Sequence, residues 1–548
     1  MFRETKGYSP VKTGIVFSAL AFALALSVAC QPMLAATSCV NPTGAYGCLA
    51  TIGAAVSAAS SGDVIQVAAG TYKEDVTINK TLSLIGAGSA STIIDATGLA
   101  NGIDIDGSAS APKSGVSGVV VSGFAVENAN FQGIMVQNAS FVTIWNNQVL
   151  NNNKSLIVTG AASPSCPGLA TALQAGEGFD CGEGVNLTGV DHSVVANNVI
   201  QHNAGGILLS DDSGPTDNNV ISGNVVSDNP FDCGITLASH SGMGVFENTI
   251  SGNQSLRNGL QLFGAGAGVG IFAAGPGMKN YSNVVVNNIL MGNGLPGVAM
   301  HNHAAPAGAP PVDLNDNVIV GNTISQNGAD TEDTATSGPA GINIASIASI
   351  TGTVIAENLI SQESIAVAFT APGELTASLN NFTAVTGIFN GGSGTVNAAQ
   401  NYWGCLGGPA SPACANVGGT VVSTPWLTGP FASSVLPTAP SGGGGTTPPP
   451  PAGITIVITG PGGASATNTF LTNSGGVNLD ASQSTSSNAG GLSYSWKTAP
   501  GYPTIGIAGG NTAKPSIQLN VSGTYELILT VTDSTGATAT ATVIVKFL

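Results

Sequence analysis

The sequence predicts an all-β chain, a parallel β-helix solenoid followed by a small β-sandwich. Three observations carry that expectation. The first is composition: 7% of the 548 residues are charged, 43% are hydrophobic and 76 are Gly. Helix formers are scarce, and a disordered chain needs high charge with low hydrophobicity. The second is a repeat, which decides the fold of any chain that has one. The segments led by Gly133, Gly184, Gly206, Gly234, Gly268, Gly297 and Gly341 carry an aliphatic residue or Met at their first and third following positions. That alternation is a strand with one buried face. The third is the stretch PTAPSGGGGTTPPPPAG at 437–453, a flexible run followed by a stiff one, which divides the chain in two.

In chain order, a basic, polar start and the apolar run 15–29 precede QPMLAA. Residues 1–36 therefore read as a secretory signal peptide. The expected location is secreted, periplasmic or cell-surface; the alternative, a lipid anchor at Cys30, meets Ser27 where an aliphatic residue is preferred. No later segment has the roughly 20 apolar residues of a membrane helix. Export places the cysteines in an oxidising compartment. The expected pairs are Cys39–Cys48, Cys166–Cys181 and Cys405–Cys414, with Cys233 left as a buried thiol.

Residues 37–436 form the expected solenoid. An Asn leading into an apolar pair follows each Gly-led segment: Asn147, Asn198, Asn224, Asn248, Asn288, Asn322 and Asn358. One such unit cannot bury its apolar face alone, but stacked units make a continuous core. Asn at a fixed turn position then forms a hydrogen-bonded ladder. Residues 454–548 alternate in the manner of strands: ITIVI, SYSW, YELILTVT and ATVIVKF.

Residues 52–95, with SGDVIQVAAGTYKE inside them, resemble the opening of the right-handed β-helix proteins of the pectin-lyase-like superfamily. Asn401-Tyr402-Trp403-Gly404 resembles a closing motif of the same group. The resemblance implies a right-handed coil with a short helix capping its first turn. It leaves activity open, because lyases, hydrolases, esterases, epimerases and non-enzymes share that fold. VNLDASQST, SYSW and GTYELILTVTDSTG resemble a PKD or immunoglobulin-like module, with Trp496 as the buried tryptophan and Tyr525 as the tyrosine corner.

The chain carries a net charge of −17, which excludes a nucleic-acid partner. Counting from each repeat Gly gives columns that run up the solenoid with rungs about 4.8 Å apart. Asp211, Asp212, His240, His301 and His303 fall on one edge, where long loops also leave the rungs. Asp212 and His240, with Asp211, suit acid–base catalysis. Asp211, Asp212, His240 and His303 also suit a divalent metal, the choice between Ca²⁺ and a transition metal staying open. Ser210, Phe272, His301 and Asn302 are the expected substrate contacts on the outward face, beside Asn186, Thr188 and Thr236.

A second cluster, Asp180, Glu183, His202 and Asp232, precedes the Gly column. An extended strand puts it about 26 Å from the first, so two separate centres are expected, the second a structural ion pair of Asp180 with His202. None of the few Lys and Arg residues of the solenoid falls in the strand columns, so the cationic base typical of polyuronate lyases is missing.

Three functions remain. One is a carbohydrate-active lyase or hydrolase using the Asp/His pair. The second is a non-catalytic adhesin or glycan-binding protein, and the third a periplasmic metal-handling protein. The expected partner of the first two is a polysaccharide or cell-surface glycan, bound by a monomer.

Overall fold

The computed structural model describes residues 36–108, 115–156, 180–261, 266–273, 275–302, 310–331, 336–409 and 411–431 of an N-terminal unit. Of the C-terminal unit it describes 454–547 apart from 461–462, 465–468, 473–475, 487–489, 499–505, 519–522 and 535–537. The units divide at Val435/Leu436. The expected signal peptide, apart from Ala36, and the 437–453 linker lie outside the described residues, as do Cys166 and His303.

In the N-terminal unit the Gly-led segments stack in the register their sequences predict. Ile134 pairs with Val185, Val185 with Ile207, Ile207 with Ile235, Ile235 with Val269, Val269 with Val298 and Val298 with Ile342, all parallel. Among the described residues, three long sheets result, of 14, 11 and 16 strands. The chain visits them in turn, one coil per repeat. Period-2 patterning sends one apolar column from each sheet into a shared core, where Ile144, Ile200 and Leu237 are wholly buried. The architecture is a right-handed parallel β-helix.

Its ends are closed as the resemblance implies. A helix, Ile52–Ala58, caps the first coil. Thr51 accepts from the Ala54 N–H at 3.2 Å, and the Glu74 carboxylate accepts from the N–H groups of Ile52 and Gly53 at 2.8 and 2.7 Å. These bonds satisfy donors that a helix start leaves open. At the other end Trp403 is buried, its ring edge-on to Phe382 at 5.3 Å.

The asparagines do more than the sequence suggests, because they form three ladders. One runs Asn147, Asn198, Asn224, Asn253, Asn288, Asn322, Asn358, Asn380 and Asn401, each side-chain amide donating to the next Oδ1. Asn248, expected in this series, belongs to a different corner. It accepts from Asn219 at 3.0 Å and donates to Asn283 at 3.1 Å. Asn248 and Asn253 lie in the same coil, and counting from Gly234 selects the wrong one because the preceding loop is longer there. The third ladder climbs from Asn152 through Asn203, Asn229, Asn258 and Asn293 to Asn327, and ends on Glu363.

Cys39–Cys48 and Cys405–Cys414 are disulfides, Cys181 is also disulfide-bonded, and Cys233 is a buried thiol. In the C-terminal unit Gly523–Thr532 pairs antiparallel with Thr538–Phe547 and with Ser493–Thr498. Trp496 and Tyr525 are buried in its separate core. No helix of the described residues is long and apolar enough to cross a membrane.

Candidate functional site

The centre begins with two consecutive strands, Ile207–Ser210 and Ile235–Ser239, in which Ser210 pairs with Ala238. This register brings the residues just beyond them together. His240 Nδ1 lies 3.2 Å from Asp212 Oδ1, and Asp212 Oδ2 accepts from Ser210 Oγ at 2.8 Å. An ionised carboxylate only accepts, so the tautomer with its hydrogen on Nδ1 suits the contact with Asp212. The side chains of His240 and Asp212 are 9% and 8% exposed. Partial removal from water strengthens the hydrogen bond between them.

Asp211 serves the fold. Its Oδ1 accepts from the N–H groups of His240 and Ser241 at 2.6 and 2.9 Å. Its Oδ2 accepts from Ser239 Oγ and the Gly244 N–H at 2.9 and 2.7 Å. Four donors leave the buried carboxylate no ready site for a metal or a substrate. The same bonds fix the turn that presents His240.

The second cluster is where the sequence reading fails. Asp180 Oδ2 lies 3.8 Å from His240 Nε2, its side chain 5% exposed. Asp180 and His240 are therefore parts of one centre. The 26 Å expectation rests on an extended approach to Gly184, but residues 180–183 form a turn in which Gly182 has φ +88°. That left-handed conformation favours Gly and reverses the chain. His202 is exposed beside Asp228, whose carboxyl it helps hold low after the dominant bond from Arg257. The expected Asp180–His202 pair is thus replaced by Asp180–His240.

Glu183 is also in this neighbourhood. It is 1% exposed, and neither carboxyl oxygen has a hydrogen-bond partner. A Cβ on Gly205 would collide with Glu183 Oε1, so Gly at 205 makes room for the carboxyl. Burial, then the charges of Asp232 and Asp180, push Glu183 well above the usual carboxylate range. Asp232 accepts from the Cys233 N–H at 2.5 Å. Burial, then Asp232, pushes the Cys233 thiol up as well.

The outward face of the Gly-led strands differs from the expected open sugar surface. Asn186, Thr188, Ser210, Thr236, His301 and Asn302 are all buried. Cys233, Ala267, Leu295 and Ala299 form a small second core with Phe272 packed against it. The segments before successive Gly residues supply the first three of these residues and cover the face. Ser210 is used by Asp212, and Asn302 Oδ1 accepts from the Ile347 N–H at 3.0 Å. His301 lies against Phe272, ring centroids 4.6 Å apart. The register puts it two rungs beyond Ala238 and so about 10 Å from the His240 rung.

Among the described residues, the one group of metal-ligand type is elsewhere: Asp191, His192 and Asp217, with ligand atoms within 4.8 Å of one another. It sits where the Gly-led sheet turns, since Asp191 pairs with Asp217. His192 has φ +49° and stacks on the exposed Phe141 at 5.2 Å.

Residues 87–271 and 179–344 match the family described as a right-handed beta helix region, and residues 465–546 match a PKD-domain family. The N-terminal unit is a right-handed β-helix, and the C-terminal unit is PKD-like. No curated protein matches the chain. Among solved structures, a DFA-IIIase from Arthrobacter chlorophenolicus A6 in complex with GF2 aligns at 15% identity. The alignment covers 66% of this chain and 88% of that one, with a TM-score of 0.39. The alginate lyase from Paenibacillus sp. str. FPU-7 aligns at 13% identity over 68% of this chain and 95% of that one, TM-score 0.28. A nucleoside hydrolase-related protein from Saccharophagus degradans, associated with carbohydrate metabolism, is 24% identical over 17% of this chain, TM-score 0.16. The chain spans 25% of that protein's length. The likeness to these structures is one of fold.

Sequence reasoning missed the union of Asp180 and Glu183 with the β-helix edge. The available signal was Gly182 beside Cys181, a reversal and a cross-link immediately before a repeat Gly.

Proposed function

We propose that the β-helix unit is a carbohydrate-active enzyme, a polysaccharide lyase or hydrolase, working by acid–base catalysis at His240. The observation that carries this reading is the placement of one largely buried imidazole between two carboxylates. Asp212 is 3.2 Å from Nδ1 and Asp180 is 3.8 Å from Nε2. Asp212 fixes the tautomer and ring orientation, the role an acidic partner plays beside a catalytic histidine. The gap at Nε2 is too long for a direct hydrogen bond, and a water or substrate oxygen can bridge it. Nε2 then takes a proton, either from water attacking an anomeric carbon or from a sugar carbon in elimination. Ca²⁺ or a transition metal stays open as a cofactor. The role of the PKD-like unit is to hold the protein on a glycan or cell surface, and export to the cell exterior accords with the disulfides.

The test is turnover of a panel of neutral and acidic polysaccharides, with and without Ca²⁺, by the full chain and by His240→Ala, Asp212→Asn and Asp180→Asn. Loss of at least 100-fold in kcat for His240→Ala is expected, roughly the ordinary size of an acid–base contribution. Turnover indifferent to all three substitutions rejects the centre.

A second reading has its own observation. Asp191, His192 and Asp217 converge beside the exposed Phe141, which suits metal-dependent binding without catalysis. Metal analysis of the purified protein, repeated on Asp217→Asn, separates the two.

A further inference from the structure

One corner of the β-helix sets two acids directly side by side. Asp191 and Asp217 are direct partners on consecutive parallel strands. Like charges directly opposite across paired strands destabilise them. Both are largely removed from water: the Asp191 side chain is 13% exposed and Asp217 is 4% exposed. Aromatic rings flank the pair. Phe141 stacks on His192 on one side. On the other, Phe246 pairs with Asp217 from the next coil and stacks on Tyr281 at 5.0 Å. A poorly hydrated setting raises the cost of the repulsion. The third group is His192, its Nδ1 3.4 Å from Asp191 Oδ2. The ligand atoms of all three lie within 4.8 Å of one another, the spread of atoms that share one cation at about 2.0–2.6 Å each.

We propose that Asp191, His192 and Asp217 hold one divalent transition cation, in preference to Ca²⁺, and that this ion clamps the loop carrying Asp212. This rests on the second reading above, metal-dependent binding at this corner, and names its ion and its effect. The donor set selects the ion. Ca²⁺ and Mg²⁺ take oxygen ligands, whereas an imidazole beside carboxylates suits Zn²⁺ and its transition-metal neighbours. Three protein ligands leave a further position to water, and His192 is exposed, which gives the ion a way in from solvent.

The clamp follows from what the ligands are attached to. Residues 211–215, with Asp212 among them, join the strand Ile207–Ser210 to the strand Thr216–Asp217. This loop and its end lie on the coil that finishes in Asp191 and His192. Thr216 Oγ1 donates to Ser210 O at 2.6 Å and accepts from the Val190 N–H at 3.2 Å. The Ser213 N–H donates to Thr188 Oγ1 at 3.0 Å, and the His192 N–H donates to Asp217 O at 3.2 Å. A cation joining Asp217 to Asp191 and His192 adds a tie between the same two segments. It therefore steadies the loop that holds Asp212 3.2 Å from His240 Nδ1.

The experiment is titration calorimetry of the full, untagged chain, stripped with a chelator, against Zn²⁺ and against Ca²⁺. Amide hydrogen exchange of residues 211–217 is followed with and without Zn²⁺. One Zn²⁺ per chain is expected, bound about tenfold or more tightly than Ca²⁺. Asp217→Asn and His192→Asn should each weaken Zn²⁺ by about tenfold or more. His192→Asn keeps the fold testable, because Asn tolerates the left-handed φ of +49° at that position. Zn²⁺ should slow exchange in 211–217 by roughly threefold or more in the wild type, and in neither variant. Zn²⁺ affinity unchanged in His192→Asn, or Ca²⁺ bound as tightly as Zn²⁺, overturns the proposal and leaves metal-dependent binding standing. Binding of neither ion by the wild type ends both. Zn²⁺ binding lost in His240→Gln and kept in Asp217→Asn puts the ion in the other centre and overturns the proposal too. Zn²⁺ bound at the corner with exchange in 211–217 unchanged overturns the clamp.

Discussion

The asparagine ladders and the His240 edge belong to the same β-helix and face opposite demands. In a ladder each buried polar side chain meets its own kind one rung away. Asn288 accepts from the Asn253 backbone and side chain at 2.8 and 3.0 Å, and donates to Ile250 O and Asn322 Oδ1 at 2.9 and 3.0 Å. An amide carries donor and acceptor together, so repetition satisfies it. A carboxylate only accepts, so stacking carboxylates creates conflict. At the His240 edge the rungs therefore differ, with Asp212 over His240, Asp211 capping a turn, and Glu183 unsatisfied. A repeat that satisfies itself is structural, and a departure from it marks where chemistry can be held.

Breaking a ladder in its middle should have the largest effect on stability. Asn288→Ala orphans several buried donors and acceptors at once, each worth about 1–3 kcal/mol. We expect a loss on the order of 4 kcal/mol in denaturant unfolding. A loss under about 1 kcal/mol would show that the ladder is not the main polar support.

Glu363 sharpens the comparison, because it is a carboxyl inserted into a ladder. Its Oε1 accepts from the Asn327 N–H and Nδ2 at 3.0 and 3.1 Å, and burial pushes it up to about 7. Its folded pKa lies above the unfolded value, so the proton stabilises the fold. That contribution is full below about pH 4.5 and is lost as pH rises through 7. Glu363→Asn should continue the ladder and flatten the pH dependence, by up to roughly 3 kcal/mol between about pH 5 and 8. Equal pH slopes in wild type and variant would contradict this.

The smallest effect is expected at the exposed corner. Phe141 has φ +54° and is 58% exposed. A bulky residue in that left-handed conformation is strained, whereas Asn tolerates it. Phe141→Asn should therefore raise stability by about 0.5–1 kcal/mol, read as a small increase in Tm. A decrease would mean that the stack on His192 outweighs the strain.

Much of the β-helix is legible in the repeat itself. The Gly-led strands pair as aligned, and Asp212 meets His240, because a parallel coil turns a repeated sequence offset into nearest-neighbour contact. The same logic fails where the chain leaves the repeat. Counting confuses Asn248 with Asn253 because loop length varies between coils. Alternation alone makes the outward face a solvated sheet, but the segments before each Gly pack over it. A residue count puts Asp180 far from His240 because it assumes extension.

The sequence by itself determined the coil, its register, its buried columns and the pairing of Asp212 with His240, since those follow from periodicity alone. Only the tertiary structure decided that Asp180 and Glu183 join them. A turn at Gly182 reverses the chain by a left-handed φ, and a local reversal leaves no period to read.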